Sequence, residues 1–397
     1  MKKLLLLGAA VCSGLVAAPA NMTSPAFSLK MSAAVNAVLL SVNQKVQREA
    51  AANSYIGIGG NLTAVASSTK DQHDHSYGLI AAIDLDRVKE GVKRIAEFYG
   101  FYSTPYGTGF IGGYEGPVST LNIDGPINAG GCKGPLGFVG RVVDLPVGCN
   151  LYLGIRQAPS NKIGFNTVSM NGFVFGISFA PDTGEEGRAS RIVLKNEIDR
   201  KFSFRNMTEV ALNYTKTIDN LTLGAFIGGV FAKSMPANDS HKPSNVNYNP
   251  VEGYQVGAMV DAGCVRIAGS FYDMGKSAIR AGLPFTAPKG YSVSAAFTLG
   301  ATLLSVGYYR TERKVEQGMA ETNLLTFSAD YQVSPSVTVY AECDIVDAQS
   351  TKAHVSEAGL RDIELDKIYD GAGLSLEKDG PVNTKAQVFM IGLKVQC

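Results

Sequence analysis

The last eleven residues alternate: Phe389, Ile391, Leu393, Val395 and Cys397 form one apolar row, while Met390, Gly392, Lys394 and Gln396 form a smaller or more polar one. Successive side chains of a strand point to opposite faces, so one face of such a segment suits oil and the other suits water. One alternating segment describes any half-buried strand. Here the pattern recurs along most of the chain, and no stretch after Ala20 approaches the roughly 20 apolar residues that a membrane-spanning helix needs. If such a chain enters a membrane, only a closed sheet satisfies its backbone groups in lipid.

The amino terminus reads as an export leader. Met1-Lys2-Lys3 is a short positive start, Leu4 to Ala18 is apolar, and Ala18-Pro19-Ala20 is a small-x-small cleavage site, giving a signal peptide over 1–20 and a mature chain over 21–397. Cys12 follows Val11 rather than a small residue, which argues against a lipoprotein signal. Removing Lys2 and Lys3 leaves 34 basic against 35 acidic residues, and that balance gives no reason to expect a nucleic-acid partner. Gly is abundant at 44 and Trp is absent, with hydropathy near neutral, which fits a barrel with a wet interior.

Period-two alternation marks sixteen segments, near residues 27–42, 54–67, 76–86, 94–103, 108–115, 161–168, 172–180, 204–217, 219–233, 252–262, 264–274, 289–299, 302–312, 322–332, 336–346 and 386–397. The fourth is ambiguous, since Asp86 to Tyr99 also reads as a short amphipathic helix. Links after even-numbered segments are short, as at Ser169-Met170-Asn171, Ala262-Gly263 and Ser334-Pro335. Links after odd-numbered ones are generally longer, and 116–160, 181–203, 234–251 and 347–385 are very long. The link around 68–75 breaks the parity. A sandwich has no reason to alternate in this way, whereas an outer-membrane barrel has short turns at one end and long loops at the other. The expected fold is therefore all-β: a transmembrane antiparallel β-barrel of about 16 strands, the size that encloses an aqueous channel.

Asn161 to Thr167 followed by Asn171 to Asp182 resembles the central hairpin of general diffusion porins, especially those of alphaproteobacteria. Phe27-Ser28-Leu29-Lys30, then Ala329-Asp330-Tyr331 leading into Pro335 and Val339 to Glu342, extend the resemblance over nearly the whole mature chain. It implies a passive outer-membrane pore for ions and small hydrophilic solutes, embedded in lipid, assembled as a homotrimer and needing no cofactor, metal or catalytic group. It also implies that the third long loop, 116–160, folds inward as a constriction. Two departures stand out. Porins of this kind usually end in an aromatic residue where this chain has Cys397, and the second strand lacks their frequent arginines.

Opposed charges at a constriction set ion preference. The candidates are Glu115, Asp124 and Asp144 on the loop and its entrance, facing Arg94, Arg156 and Lys162 on flanking segments; Lys133 and Arg141 add to the loop. Cys132 and Cys149 flank one Gly/Pro-rich stretch of that loop, and an oxidising compartment permits a bridge between them. Tyr254, Tyr272, Tyr291, Tyr308 and Tyr331 are candidates for interfacial aromatic girdles. Asp71-Gln72-His73-Asp74-His75 reads either as a metal cluster or as a solvated polar turn. A substrate-specific channel and a non-transporting surface barrel acting as an adhesin are the competing readings. An outer-membrane hydrolase is disfavoured by four histidines and no Ser-centred motif.

Overall fold

In most strands an apolar row turns outward and a smaller or more polar row turns inward, and that two-sidedness sets the architecture. The computed structural model describes residues 27–46, 54–70, 73–84, 94–123, 143, 145–146, 149, 155, 160–182, 202–236, 249–277, 286–315, 318–350 and 382–396. These form β1 (Phe27–Val46), β2 (Ser54–Ser68), β3 (Ser76–Asp84), β4 (Arg94–Thr104), β5 (Gly107–Tyr114), a one-turn helix α1 (Pro117–Thr120), β6 (Ser160–Thr167), β7 (Phe173–Asp182) and β8 (Phe202–Ile218). They continue with β9 (Leu221–Pro236), β10 (Val251–Ala262), β11 (Val265–Asp273), β12 (Lys289–Leu299), β13 (Thr302–Val315), β14 (Gly318–Ser334), β15 (Val337–Ser350) and β16 (Val382–Gln396).

Every strand pairs antiparallel with its sequence neighbours, and β1 pairs with β16, closing a sixteen-strand barrel. Closure leaves no sheet edge, as lipid requires. The register at the seam sets Val38 against Gly392, Leu40 against Met390 and Val42 against Val388. Those residues lie inward and buried, while Leu39, Phe389 and Ile391 on the alternate positions are exposed on the outer wall. The same alternation puts Phe173, Phe175, Ile177 and Phe179 outside, with Ser178 and Ala180 buried inside.

Turn chemistry reinforces the pairing. Asn171 and Gly172 both adopt positive φ (54° and 95°), the left-handed pair that a two-residue hairpin turn requires, and Met170 and Phe173 bridge across it. The long turn between β2 and β3 keeps Lys70 within 3.5 Å of Asp74, which takes φ 60°.

One ambiguity resolves as expected and two expectations change. The ambiguous fourth segment is a strand: Tyr99 pairs with Ile80 and Gly112, because the cross-strand ladder offers it two partners where a lone helix has none. The link between β13 and β14, expected to be longer, shrinks to residues 316–317, since inward Thr311, Arg313 and Val315 extend the ladder against Thr322, Ala320 and Gly318. Tyr272 does not join an outer girdle. It pairs with Gln255 and Gly290 on the inner row and is 2% exposed, whereas Tyr254, Tyr291 and Tyr331 do lie exposed outside.

Candidate functional site

The segment after β5 enters the barrel and is held against the inner wall. Gly116 precedes Pro117, whose fixed φ suits the first helical position. Ser119 and Thr120 donate their backbone N–H groups to the Gly116 carbonyl, and Leu121 donates to that of Pro117. The helix and its exit bury Val118 and Ile123 among Met207, Ala211, Phe226 and Val230 of β8 and β9. Two amides fix the path: Asn213 Nδ2 donates to the Leu121 carbonyl (2.7 Å) and Gln255 Nε2 donates to Asn122 Oδ1 (3.1 Å). Gln255 Oε1 in turn accepts from the Ile155 N–H (3.2 Å), so one side chain of β10 grips the segment on its way in and on its way out.

The wall is shaped to receive it. Gly176, Gly228 and Gly257 lie on inward rows of β7, β9 and β10, in register with Ala211 or Phe226. A Cβ at Gly257 would collide with the Ile123 carbonyl, and one at Gly176 would stand 2.5 Å from Pro117 Cβ. These glycines buy close approach of two backbones.

Further along, Val143, Leu145 and Cys149 pack on the nearly opposite wall, against Val38, Leu40 and Val42 of β1 and against Leu324, Val346, Ala386 and Val388. The segment therefore touches both sides of the lumen. Cys149 is a free thiol, so the bridge to Cys132 that the sequence permitted is not formed; Cys132 itself lies outside the described residues. The reason is packing: Cys149 Sγ shares its proton between the Glu321 and Gln349 carbonyls, each at 3.3 Å. Burial pushes this thiol up to about 12, so it stays neutral and inert.

Of the charged candidates, Glu115 lies exposed just past β5, and its backbone N–H donates to Glu97 Oε1 at 3.1 Å. Lys162 faces inward on β6, but it does not line the pore as a base. Its ammonium meets Glu209 Oε1 at 2.5 Å with both side chains 0% exposed, and it lies 5.7 Å from the Tyr114 ring centre. Lys162 is an anchor beneath the loop root. Arg94 opens β4 in register with Asp84. Asp124, Asp144, Arg156, Lys133 and Arg141 lie outside the described residues. Glu209 was missed in the sequence, although a lone acid between Met207 and Ala211 on the inward row of β8 was a readable signal.

Other inward polar groups pair along the wall. Ser270 and Ser292 hydroxyls lie 2.8 Å apart, Ser305 and Ser328 2.7 Å apart, and Thr326 donates to Asp344 Oδ1 at 2.6 Å. His75 Nδ1 lies 3.1 Å from the Tyr102 hydroxyl, which ties this part of the 68–75 turn to β4. No group of three or more metal-ligating side chains occurs among the described residues.

Among solved structures, an anion-selective porin from Comamonas acidovorans is similar over 94% of this chain and 100% of its own, with a TM-score of 0.61 at 13% identity. OmpF of Salmonella typhi, in complex with daunomycin, is similar over 93% and 98%, with a TM-score of 0.57 at 12% identity. The trimer form of OmpT, an outer membrane protein of Vibrio cholerae, is similar over 94% and 100%, with a TM-score of 0.55 at 13% identity. At such identities these likenesses bear on the fold alone. No curated protein matches the sequence significantly. The sequence itself matches the Gram-negative porin family over residues 7–350. This chain belongs to the Gram-negative porins, the outer-membrane channels of passive diffusion.

Proposed function

We propose that the chain is exported by a leader ending at Ala20, assembles as a homotrimer, and passes ions and small hydrophilic solutes through a lumen narrowed by residues 116–160. The observation that carries this reading is the seat of α1 and Ile123 inside a closed sixteen-strand ring, pinned by Asn213 and Gln255. A ring of that size encloses water rather than a packed core, and a loop held across it by both walls sets the width. Similarity to a barrel solved as a trimer supports the assembly, and Leu4 to Ala18 ahead of a small-x-small site supports the leader.

The test is electrical. Mature protein folded in detergent and added to a planar lipid bilayer should insert in stepwise current increments that come in threes. Conductance should rise with salt without saturating, as free diffusion demands. Insertion without current would mean a plugged surface barrel and overturn the channel reading. Single steps with no threefold grouping would remove the trimer and leave the pore.

A further inference from the structure

Lys162 stands on β6 and Glu209 on β8, so their side chains meet across β7. There Ser178, in register with Glu209, and Ala180 are small and buried and leave the pair room. Two charges drawn out of water to 0% exposure bring little or no net stability, and apolar residues of similar volume often serve a wall as well. Barrel stability alone therefore gives no reason for an ion pair here. The pair has a second neighbour, and that neighbour is the loop.

Glu209 Oε1 takes the ammonium, which leaves Oε2 buried with no hydrogen-bond partner. The carboxylate faces Gly116, where the chain leaves β5 and turns into α1. A Cβ built on Gly116 would lie 2.0 Å from Oε2 and 2.3 Å from Oε1, so the loop backbone rests directly on the carboxylate. Two residues earlier, the Tyr114 hydroxyl lies over Gly164 of β6, where a Cβ would collide with it, and the Lys162 ammonium stands 5.7 Å from the Tyr114 ring centre. One residue later Pro117 abuts Gly176, and Val118 drops among Met207, Ala211, Phe226 and Val230. The loop thus enters the lumen against two stops, Gly164 under Tyr114 and Glu209 under Gly116. A charge-assisted hydrogen bond has a set length and direction, whereas flexible apolar side chains filling the same space would shift against one another.

We propose that Lys162 and Glu209 are positioning residues for the constriction: their ion pair fixes the point at which the loop enters the lumen, and with it the width of the passage. The proposal rests on the channel reading and names what sets the aperture within it. Neither side chain meets the solute; both act through Gly116 and α1.

Three variants of the mature barrel separate this role from plain stability, read by single-channel current in potassium chloride and by liposome swelling with arabinose and raffinose. Wild type should show one unitary conductance and admit raffinose poorly. The double variant Lys162→Met/Glu209→Leu removes both charges; its conductance should spread over several levels, and its raffinose uptake should rise relative to arabinose. Gly116→Ala keeps the pair and pushes the loop root off the carboxylate, so its conductance and sugar ratio should shift as well. Leu212→Ala trims an exposed side chain on the outer face of β8 and should lower stability in urea without moving conductance or sugar ratio. Wild-type conductance and sugar ratio in either the folded double variant or Gly116→Ala overturns the positioning role, and so does an equal shift in Leu212→Ala. If the double variant fails to fold, Gly116→Ala decides alone. A wild-type barrel that inserts without current removes the pore itself, whereas a conducting wild type with indifferent variants removes only the role of the pair.

Discussion

The pair of Lys162 and Glu209 gives the sharpest energetic prediction. Both side chains are 0% exposed, Nζ meets Oε1 at 2.5 Å, and Glu209 Oε2 is buried with no hydrogen-bond partner. Taking one member away strands the other as an uncompensated buried charge, which costs about 3–5 kcal/mol in a well-enclosed site. Replacing both by apolar residues removes two desolvated charges together, and that exchange is often neutral or favourable by about 1–4 kcal/mol. The expected cycle is therefore strongly non-additive. Lys162→Met and Glu209→Leu should each lower stability by about 3 kcal/mol or more, roughly a hundredfold in the folding equilibrium. The double variant should recover most or all of that loss. The surroundings favour recovery, because Glu209 sits between buried Met207 and Ala211 and pairs across to buried Val230. Urea titration in lipid vesicles, read by gel mobility and tyrosine fluorescence, supplies all four corners. Single variants losing under about 1 kcal/mol, or a double variant equal to the sum of the singles, would refute the reasoning, since both outcomes describe a pair that still exchanges with water.

Three further outcomes follow from other parts of the wall. Gly257→Ala drives a Cβ into the Ile123 carbonyl, so the loop root must lift; trypsin should then cut faster at Lys133, Arg141 or Arg156, read by mass spectrometry, with a stability loss of about 1–3 kcal/mol. Ile227→Arg places a charge on the outer row midway along β9, where it should cost about 2–4 kcal/mol in vesicle unfolding, while Leu221→Arg at the strand end should cost about 0–1 kcal/mol. In the folded barrel at pH 8, maleimide should label exposed Cys264 and spare Cys149, whose burial holds the thiol near 12 and keeps the reactive thiolate scarce; urea should release Cys149 to the reagent.

The barrel was legible because its signal is local and repeated. Phe173, Phe175, Ile177 and Phe179 face lipid for the same reason that Tyr291, Val293 and Phe297 do, and each repeat of the pattern supports the others. Alternation of short and long links then separated a barrel from a sandwich before any contact was known. Lys162 shows where local reading stops. Its inward direction followed from strand parity, but its partner lies 47 residues away on β8, and only that partner turns a pore-lining base into an anchor. Tyr272 fails in the same way: an aromatic near a strand end reads as a girdle residue, and its inward row becomes visible only in register with Gln255 and Gly290.

Inside the lumen the rules of patterning reverse, and this explains both the misreadings and the site. An outward position must be apolar because lipid leaves no alternative, so sequence announces it. An inward position answers to whatever the long connections press against it. Val38, Leu40 and Val42 are apolar on a row nominally meant for water because Val143, Leu145 and Cys149 cover that wall. Gly176, Gly228 and Gly257 are small where α1 and Ile123 dock. The inward row thus records the path of the loop: apolar, glycine or the mutually paired Lys162 and Glu209 where the loop touches, and partly exposed at Glu97, Tyr99, Phe101 and Phe110. On that logic the passage should run along the β4 and β5 wall. A cysteine introduced at Phe101 should therefore react with a small cationic thiol reagent and cut the conductance, whereas one introduced at Val388 should be shielded and leave it unchanged. The opposite result would place the opening against the β16 wall and overturn this reading of the inward row.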